Sequence, residues 1–356
     1  MAGRVTIHDV AKRAACSVAT VSRVLNGTGP ASAEVRERVQ QAARDLDFRF
    51  NEIGRSLQSR RSRTLGILVP TLSNPVFAAV IEGVQATARA RGYQLLLACA
   101  NYDPEEESEA IATLLAKQVD GLLLTVSDAD ASAEVAQLNE EGLPFILIFN
   151  QPLSTLPSVT VDNAAAAAAV GRRLLRDGHR EVAYVAGRLT SSDRSQRRYE
   201  GFCAAYDAAK APAPSLVEVD YTAFDHRDAL AAVLAERDGI TALFCSNDML
   251  ALAVIGALRS LGRRVPKDVS VVGFDGIAVA ALTAPSLATV ATPCPEMGRL
   301  AAEGLIDAIE AGTRPEARTV LLPFEFRPGE SLAPRPAENP PQVSGNSPAD
   351  VLSPNA

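Results

Sequence analysis

The amino-acid sequence predicts an α/β protein in which a three-helix, helix-turn-helix domain precedes two doubly wound parallel-sheet lobes. The first observation behind this prediction is a pair of short amphipathic segments near the N-terminus, separated by a tight turn. The second is the pattern from Thr64 onward, where short apolar runs alternate with longer amphipathic ones, as buried parallel strands alternate with helices. The third is that this alternation occurs in two successive halves, which predicts two sheets.

Length and composition are typical of a globular protein with two or three domains. The chain has 356 residues, of which 47% are hydrophobic, enough for a sizeable buried core. No apolar run approaches the roughly 20 residues of a membrane helix, and the N-terminus lacks a signal-peptide core. We therefore expect a cytoplasmic protein without membrane contact.

The sequence contains none of the common patterns of metal or catalytic sites. Five cysteines lie far apart, without CxxC spacing or a histidine at metal-ligand spacing: Cys16, Cys99, Cys203, Cys245 and Cys294. This favours buried thiols in a reducing cytosol over disulfides. The GxGxxG phosphate fingerprint, HExxH, Walker and nucleophile-elbow patterns are also absent. We expect no catalytic residues, no metal and no cofactor, which argues against an enzyme.

Two capping signals define the first helices. Thr6 and Asp9 form a capping-box-like start, in which the hydroxyl meets a free backbone N–H and the carboxylate favours the positive helix end. This helix should run to about Ala14. Ser17 is the corresponding cap of a second helix, which extends over residues 18–25.

The helical spacing predicts a small core and an outward edge. The inward residues of the two helices are Val21, Val24 and Leu25 against Ile7, Val10 and Ala11. The outward residues of the second helix are Val18, Ala19, Ser22 and Arg23. A third helix, with Ser32 as its N-cap, should run over 33–46 and close the core. Its outer arginines, Arg36, Arg38 and Arg44, either contact phosphates or form a solvated face.

Charge is distributed unevenly between the two parts of the chain. Residues 1–64 carry 12 Lys and Arg against 6 Asp and Glu, a net charge of +6, although the whole chain is −7. The remainder is therefore −13. A basic head on an acidic body favours a nucleic-acid-binding domain attached to another module.

The N-terminal segment closely resembles the lactose-repressor family of bacterial transcription regulators. The family pattern, a threonine start, DVA and then SxxTVSRVLN, is matched from Thr6 to Asn26. The resemblance implies that the second helix reads a palindromic double-stranded DNA operator and that the protein is a homodimer. The residues implied in DNA binding are Thr6, Ser17, Val18, Ala19, Thr20, Ser22, Arg23, Asn26, Asn51, Arg55 and Leu57.

Residues 51–63 are polar, basic and too short to form a stable helix alone. They resemble the family's hinge helix, which orders on DNA and inserts one leucine per subunit into the minor groove, here Leu57. The alternative is a flexible basic linker. Phe50 replaces the usual proline and Gly54 the usual alanine, and a mid-helix glycine costs about 1 kcal/mol relative to alanine. Hinge ordering should be weaker here.

The rest of the chain is predicted to form two βα repeats. The first half reads as strand TLGILVP, helix 74–91, strand YQLLLAC, helix 104–118, strand DGLLLTV, helix 131–141 and strand PFILIF. The second half reads as helix 164–176, strand EVAYVAG, helix 194–210, strand 216–219, helix 226–237, strand ALFCS, helix 248–261 and strand SVVGFDG. Ligands of such sheets bind beyond the carboxyl ends of the strands, so we expect a site between the lobes.

The body resembles the same family's effector module, which shares its fold with periplasmic sugar-binding proteins. The matching stretches are VPTLSNPVFAAVIEG, VDNAAAAA, RRYEGF, CSNDMLALA and VVGFDG. Asp275 would accept hydrogen bonds from hydroxyls, Arg198 would donate them, and Asn247 can do both, as a small sugar-like effector requires. An Asp or Asn at a strand end is equally often a helix cap, and Asp248 is one candidate. The residues implied in effector binding are Ser73, Asn74, Phe77, Phe149, Asn150, Arg198, Tyr221, Asn247 and Asp275.

Two departures from the family concern the pocket wall. The chain has Phe149, Asn150 and Gln151 where an acidic residue is common, and Thr292 where glutamine is frequent. The effector therefore does not follow from any relative. The sequence also leaves open whether the effector releases DNA or strengthens its binding, because either result needs only different affinities for two states.

The predicted organisation is a DNA-binding domain at 1–50, a hinge at 51–63, an effector and dimerisation domain at 64–330 with lobes split near 162 and 291, and a tail at 331–356. The tail is proline-rich without apolar periodicity and should be disordered. It lacks leucine heptads, so we expect a dimer only. The predicted function is a transcriptional repressor. The alternative is a solute-binding protein of the periplasmic type without a regulatory role, which would need an export signal where the helix-turn-helix stands.

Overall fold

The computed structural model describes residues 5–26, 29–48, 61–221, 223 and 225–335. The N-terminal domain contains three helices: α1 (Ile7–Arg13), α2 (Val18–Asn26) and α3 (Ala33–Asp45). Their shared core is formed by Val10, Ala11, Ala14, Val21, Val24, Val39 and Ala42. The predicted helix-turn-helix is therefore present.

The caps of these helices lie at the predicted residues. The Thr6 hydroxyl donates to the Asp9 carboxylate at 2.7 Å, and the Thr6 backbone N–H donates to the same oxygen at 2.8 Å. Thr6 and Asp9 form the predicted capping box. Ser17 accepts from the N–H of Thr20 at 3.1 Å, and Ser32 accepts from Val35 at 3.3 Å. Both are the predicted N-caps.

The first of two six-stranded sheets has the order β11-β5-β4-β3-β1-β2, with every pairing parallel. Its strands are β1 (Thr64–Val69), β2 (Gln94–Cys99), β3 (Gly121–Leu124), β4 (Phe145–Ile148), β5 (Ser158–Val161) and β11 (Thr319–Leu322). Its helices are α4 (Pro75–Ala90), α5 (Pro104–Ala116), α6 (Ala133–Glu141) and α11 (Cys294–Ala311). We call this unit lobe 1.

The second sheet has the order β12-β10-β9-β8-β6-β7 and is parallel except for β12. Its strands are β6 (Val182–Ala186), β7 (Ser215–Glu218), β8 (Ala242–Cys245), β9 (Ser270–Asp275), β10 (Ala288–Ala291) and β12 (Glu325–Arg327). Its helices are α7 (Asn163–Arg176), α8 (Asp193–Ala208), α9 (Arg227–Glu236) and α10 (Asp248–Ser260). We call this unit lobe 2. The two parallel-sheet lobes confirm the predicted fold class.

The chain passes between the lobes three times: after β5, after β10 and after β11. The sequence analysis missed the third passage because it assigned no element to β5, β10, α11, β11 or β12. The four missed strands have only three or four residues each, too few for a clear periodicity.

In each lobe, two helices cross at glycines that bring the backbones close together. A Cβ on Gly298 of α11 would collide with the carbonyl oxygen of Val80 on α4, and one on Gly201 of α8 with that of Ala164 on α7. Each close contact fixes the two helices of a lobe against each other. The two lobes are therefore built alike behind the cleft.

Residues 331–335 belong to lobe 2, which corrects the predicted start of the tail. Ser331 is fully buried, its hydroxyl donates to the carbonyl of Val271 at 2.6 Å, and the carbonyl of Ala333 lies 2.9 Å from Nε2 of His179. No pattern in the proline-rich sequence predicts these contacts. The predicted hinge residues Asn51, Arg55 and Leu57, and the tail from 336, lie outside the described residues. No helix within the described ranges is long and apolar enough to cross a membrane.

Candidate functional site

The cleft between the lobes lies at the carboxyl ends of the central strands and is closed. Its lining comes from both lobes and consists of Asn74, Val76, Phe77, Tyr102, Phe149, Ser192, Arg194, Ser195, Arg198, Tyr221, Ser246, Asn247 and Asp275. The two lobes touch directly, because Nδ2 of Asn74 donates to Oδ2 of Asp275 at 3.1 Å. The cavity left at the centre is about 20 Å³, enough for about one water molecule.

Asp275, the last residue of β9, is the acidic centre of the cleft. It is buried and has a backbone φ of 118°, a conformation that costs a non-glycine residue about 1–3 kcal/mol. Burial raises its pKa to about 6, against the opposing influence of Arg198 and the hydrogen bond from Asn74. Backbone strain of this kind is retained at positions where the placement of the side chain, here a carboxylate, matters.

Arg198 is braced behind this carboxylate by contacts from lobe 2. Its Nε donates to Oδ1 of Asn163 at 2.8 Å, and its Nη1 donates to the Ser246 carbonyl and lies 3.9 Å from Asp275. Its guanidinium stacks on the Phe274 ring at 3.6 Å from the centroid. Arg198 is therefore a fixed buried cation beside Asp275.

Asn247 and Asp248 have different roles at the start of α10. Asn247 lines the cavity and is the N-cap, because its Oδ1 accepts from the N–H of Leu250 at 2.8 Å. Asp248, the cap candidate of the sequence analysis, instead accepts from the backbone N–H groups of Gly276 and Ile277 at 2.7 and 2.8 Å. It thereby holds the loop after Asp275. Burial and the neighbouring Asp275 raise the pKa of Asp248 to about 7.

Aromatic side chains form two pairs along the cleft. Phe77 meets Phe149 edge to face, with ring centroids 5.4 Å apart, inside lobe 1. Tyr102 of lobe 1 packs on Tyr221 of lobe 2, with centroids 5.0 Å apart, and the Tyr221 hydroxyl lies 2.7 Å from that of Ser246. Such rings suit the apolar faces of sugar-like ligands. A second cavity of about 450 Å³ shares Tyr102 and Tyr221 and lies outside this pair.

Asn150 joins the lobes instead of lining the cavity. It is fully buried, its Nδ2 donates to Oδ2 of Asp193 at 2.8 Å, and its Oδ1 accepts from the N–H of Val126 at 3.1 Å. The same Asp193 oxygen accepts from the N–H of Gln151 at 3.1 Å. Asn150 is thus a structural link between lobe 1 and the start of α8, which revises its predicted placement.

Ser73 also lies away from the cavity. It is exposed, and its hydroxyl lies 2.9 Å from that of Thr71. The neighbouring Asn74 caps α4 by accepting from the N–H of Val76 at 3.2 Å. Seven of the nine predicted effector-site residues line the cavity, and Ser73 and Asn150 do not.

Comparison with known proteins identifies the family to which this architecture belongs. Residues 6–51 match the family described as "Bacterial regulatory proteins, lacI family", and residues 62–328 match "Periplasmic binding proteins and sugar binding domain of LacI family". The chain is a member of the LacI family. It is a transcriptional regulator with a DNA-binding domain and a ligand-binding domain.

Relatives of this LacI-family chain match it over most of its length. The HTH-type transcriptional regulator DegA of Bacillus subtilis is 31% identical over 93% of this chain and 99% of its own. The ribose operon repressor of Halalkalibacterium halodurans is 34% identical over 86% of this chain and 90% of its own.

Two solved structures show the fold. The Lac repressor dimer bound to operator is 23% identical and superposes with a TM-score of 0.80, over 92% of this chain and 99% of its own. The complex of transcriptional regulator CelR with cellobiose is 29% identical with a TM-score of 0.67, over 92% of this chain and all of its own.

The outward edge of α2 is narrower than predicted. Ala19 and Arg23 are exposed, and Nε of Arg23 donates to the Ala19 carbonyl at 3.3 Å. Val18, predicted to face outward, is half-buried against the domain core, because it opens the helix beside the turn. Thr20 and Ser22 are also half-buried, and the Asn26 side chain lies outside the description.

Sequence reasoning missed six residues that line the cavity: Val76, Tyr102, Ser192, Arg194, Ser195 and Ser246. Ser246 is the last residue of the predicted strand ALFCS, so the strand-end rule that selected Asn247 could have found it. Tyr102 follows β2, and its backbone has a φ of 63°, which no local pattern indicates. Arg194 was assigned to a helix start without a role. Among the described residues, no group of His, Cys, Asp and Glu is arranged to hold a metal.

Proposed function

We propose that this chain is a transcriptional repressor that binds a palindromic operator as a homodimer in the cytoplasm, under the control of a small sugar-like effector. One observation carries the proposal: a helix-turn-helix domain and a two-walled polar cleft occur in one chain. The Lac repressor structure is of a dimer on operator, and CelR and an Enterococcus faecium family member were crystallised with cellobiose and ribose.

In this proposal α2 reads base edges in the major groove. Ala19 and Val18 suit thymine methyl groups, and the exposed Arg23 suits the N7 and O6 of guanine, each good contact discriminating by about 1–3 kcal/mol. Leu57 of each subunit would wedge into a central step of the operator, as the hinge resemblance implies.

In the cleft, Asp275 would accept from effector hydroxyls while Arg198 and Asn247 donate to effector oxygens. The effector must replace the Asn74–Asp275 hydrogen bond, because that bond and the 20 Å³ cavity leave no room for a sugar ring. Effector binding therefore changes how the lobes sit, and the first lobe continues directly into the hinge.

The test is binding of the purified protein to DNA upstream of its own and neighbouring genes, measured by fluorescence anisotropy at fixed salt because phosphate contacts are salt-dependent. Arg23→Ala should flatten discrimination among half-site guanine substitutions, whereas the exposed lobe 2 variant Arg259→Ala should bind as the wild type does. Leu57→Ala should weaken operator binding and bending without altering effector affinity. If no promoter fragment were preferred over random DNA, the proposal would fail.

A further inference from the structure

Arg194 is the cleft residue whose role the proposed effector contacts leave unexplained. It lies in the first turn of α8 and lines the cavity, and only 5% of it is exposed. Its Nη1 donates to the carbonyl of Val126 in lobe 1 at 3.1 Å, and its guanidinium lies 5.8 Å from the centroid of the Tyr102 ring. Its Nη2 is buried and finds no hydrogen-bond partner among the described residues. A buried donor left in this state keeps its desolvation penalty uncompensated, so it favours an acceptor on a ligand.

Helix ends make the same region electropositive. The N-caps of α4, α8 and α10, which are Asn74, Ser192 and Asn247, all line the cavity. Each helix therefore directs the positive end of its dipole toward the cleft, and such ends favour anionic groups. Three converging helix ends and an unsatisfied guanidinium nitrogen are independent observations that point to the same ligand charge.

Each cation of the lining has one carboxylate beside it. Among the described residues that line the cavity, Arg194 and Arg198 are the two cations, and Asp275 is the one carboxylate. Asp275 faces Arg198 at 3.9 Å and accepts from Asn74. Asp193 is not part of that lining but forms an ion pair with Arg194: its Oδ1 lies 3.7 Å from Nη1, and its Oδ2 accepts from Asn150 and Gln151. That ion pair involves Nη1, so Nη2 of Arg194 is still left without an acceptor among the described residues.

We infer that the effector is an anion, a hydroxylated carbon chain or ring bearing a carboxylate or phosphate group that Nη2 of Arg194 binds. Asp275 and Asn247 would take the hydroxyl groups, and Arg194 would select the acidic group. This inference rests on the proposed function and names the ligand class of the same cleft. Charge-assisted hydrogen bonds are roughly twice as strong as neutral ones, so the anion should be preferred over its neutral analogue.

The experiment compares matched neutral and anionic probes with the full-length protein by thermal shift and calorimetric titration at constant ionic strength. The probes are glucose, gluconate, glucose 6-phosphate, ribose, ribose 5-phosphate and inorganic phosphate. We expect at least one anion to bind about 10- to 100-fold more tightly than its neutral partner. Preference for gluconate identifies a carboxylate as the acidic group, and preference for the esters or inorganic phosphate identifies a phosphate.

Substitutions test whether the Arg194 side chain causes the preference for anionic over neutral probes. Arg194→Gln should remove the difference between anion and neutral partner, and Arg194→Lys should retain most of it. Arg197→Gln is the matched control, because Arg197 lies on the same helix but its side chain is 51% exposed, so the preference should be unchanged. Operator binding of each variant without effector reports that it is folded.

Three results would overturn the inference: neutral sugars that bind as tightly as the anions, an anion preference that survives Arg194→Gln, or no binding of any anion in the set. None of these affects operator recognition by the wild type. Failure of the inference is thus separable from failure of the proposed function, in which operator recognition itself is lost.

Discussion

The two walls of the cleft are chemically different although the lobes behind them are built alike. Among the described lining residues, those of lobe 1 are an amide, aromatic rings and an aliphatic side chain: Asn74, Val76, Phe77, Tyr102 and Phe149. Lobe 2 contributes the charged residues Arg194, Arg198 and Asp275. Buried charges need partners fixed in place, and lobe 2 provides those of Arg198, which are Asn163 and the Ser246 carbonyl. We propose that lobe 2 sets what is bound, whereas lobe 1, which leads to the predicted hinge, senses that binding.

The largest expected effect on stability comes from removing the fixed cation of the charged wall. Arg198→Met leaves Asp275 buried without its cation, so the free energy of unfolding should fall by about 3–5 kcal/mol. Adding Asp275→Asn should restore part of this loss, because the orphaned charge is then gone. Urea unfolding measures both. A loss below about 1 kcal/mol in Arg198→Met would mean that the charged wall is not held together by this pair.

Two substitutions test whether the crossing helix pairs of the two lobes are packed equally tightly. Gly201→Ala in lobe 2 and Gly298→Ala in lobe 1 each place a methyl against a carbonyl oxygen of the neighbouring helix. Each should lower the free energy of unfolding by about 1–3 kcal/mol. Gly256→Ala is the control: nothing lies within 4 Å of its added methyl, so it should stabilise α10 by up to about 1 kcal/mol. Strongly unequal costs for the first two would show that the helix pairs differ.

A smaller loss of stability is expected from a substitution in the uncharged wall, which lobe 1 forms. Asn74→Ala removes the cap of α4 and the hydrogen bond to Asp275, and should cost about 1 kcal/mol in unfolding. Asn74→Ser keeps a cap oxygen and loses only the bond between lobes. If chemical unfolding showed Asn74→Ser to be as damaging as Asn74→Ala, the contact between lobes rather than the cap would be the stabilising one.

A further expected effect is a change in the pH dependence of stability. Burial raises the pKa of Asp248 to about 7 and that of Asp275 to about 6, so the folded protein holds protons that the unfolded chain releases above about pH 4. This contribution lowers the free energy of unfolding as pH rises from about 4 to 7. Burial lowers the pKa of His179 and His226, so these groups lower stability as pH falls below about 6.5, the opposite direction.

Asp248→Asn isolates the carboxyl contribution. The amide oxygen can still accept from Gly276 and Ile277, and its NH₂ can face the Thr289 hydroxyl that now donates to Asp248. The variant should lose less stability than the wild type between pH 5 and 8, measured by urea unfolding at several pH values. An unchanged slope would show that Asp248 does not titrate in this range.

Regulation depends on both walls together. Asp275→Ala should abolish the effector's influence on operator affinity while dimerisation and operator recognition persist, because the effector then loses its main contact with lobe 2. Operator affinity with and without effector at fixed salt tests this. A variant that still responded to the same effector concentration would place the effector elsewhere.

Local chemistry in the sequence was sufficient for the helices and the longer strands. Ser17 and Ser32 could be identified as caps because a hydroxyl one residue before an apolar-periodic segment satisfies a free N–H by itself. The buried strands could be identified because both faces of a parallel sheet are covered, which requires a continuous apolar run. The strand-end rule together with the family resemblance selected Asn74, Arg198, Asn247 and Asp275, which the structure brings to one cavity.

The tertiary structure alone decided which polar groups meet across the chain. The Asn150–Asp193 link and the Arg194–Val126 contact join residues 43 and 68 positions apart, and no local pattern pairs them. The same holds for the short strands, which exist because longer neighbours offer unpaired backbone groups, and for Ser331–Arg335, which stay ordered through contacts such as that with His179. The sequence by itself determined the helices and the longer strands, because their formation depends on residues that are close together in the chain. Closure of the cleft, the unsatisfied Arg194 nitrogen and the strain at Asp275 depend on how the two lobes meet. That arrangement is set by contacts between residues distant in sequence.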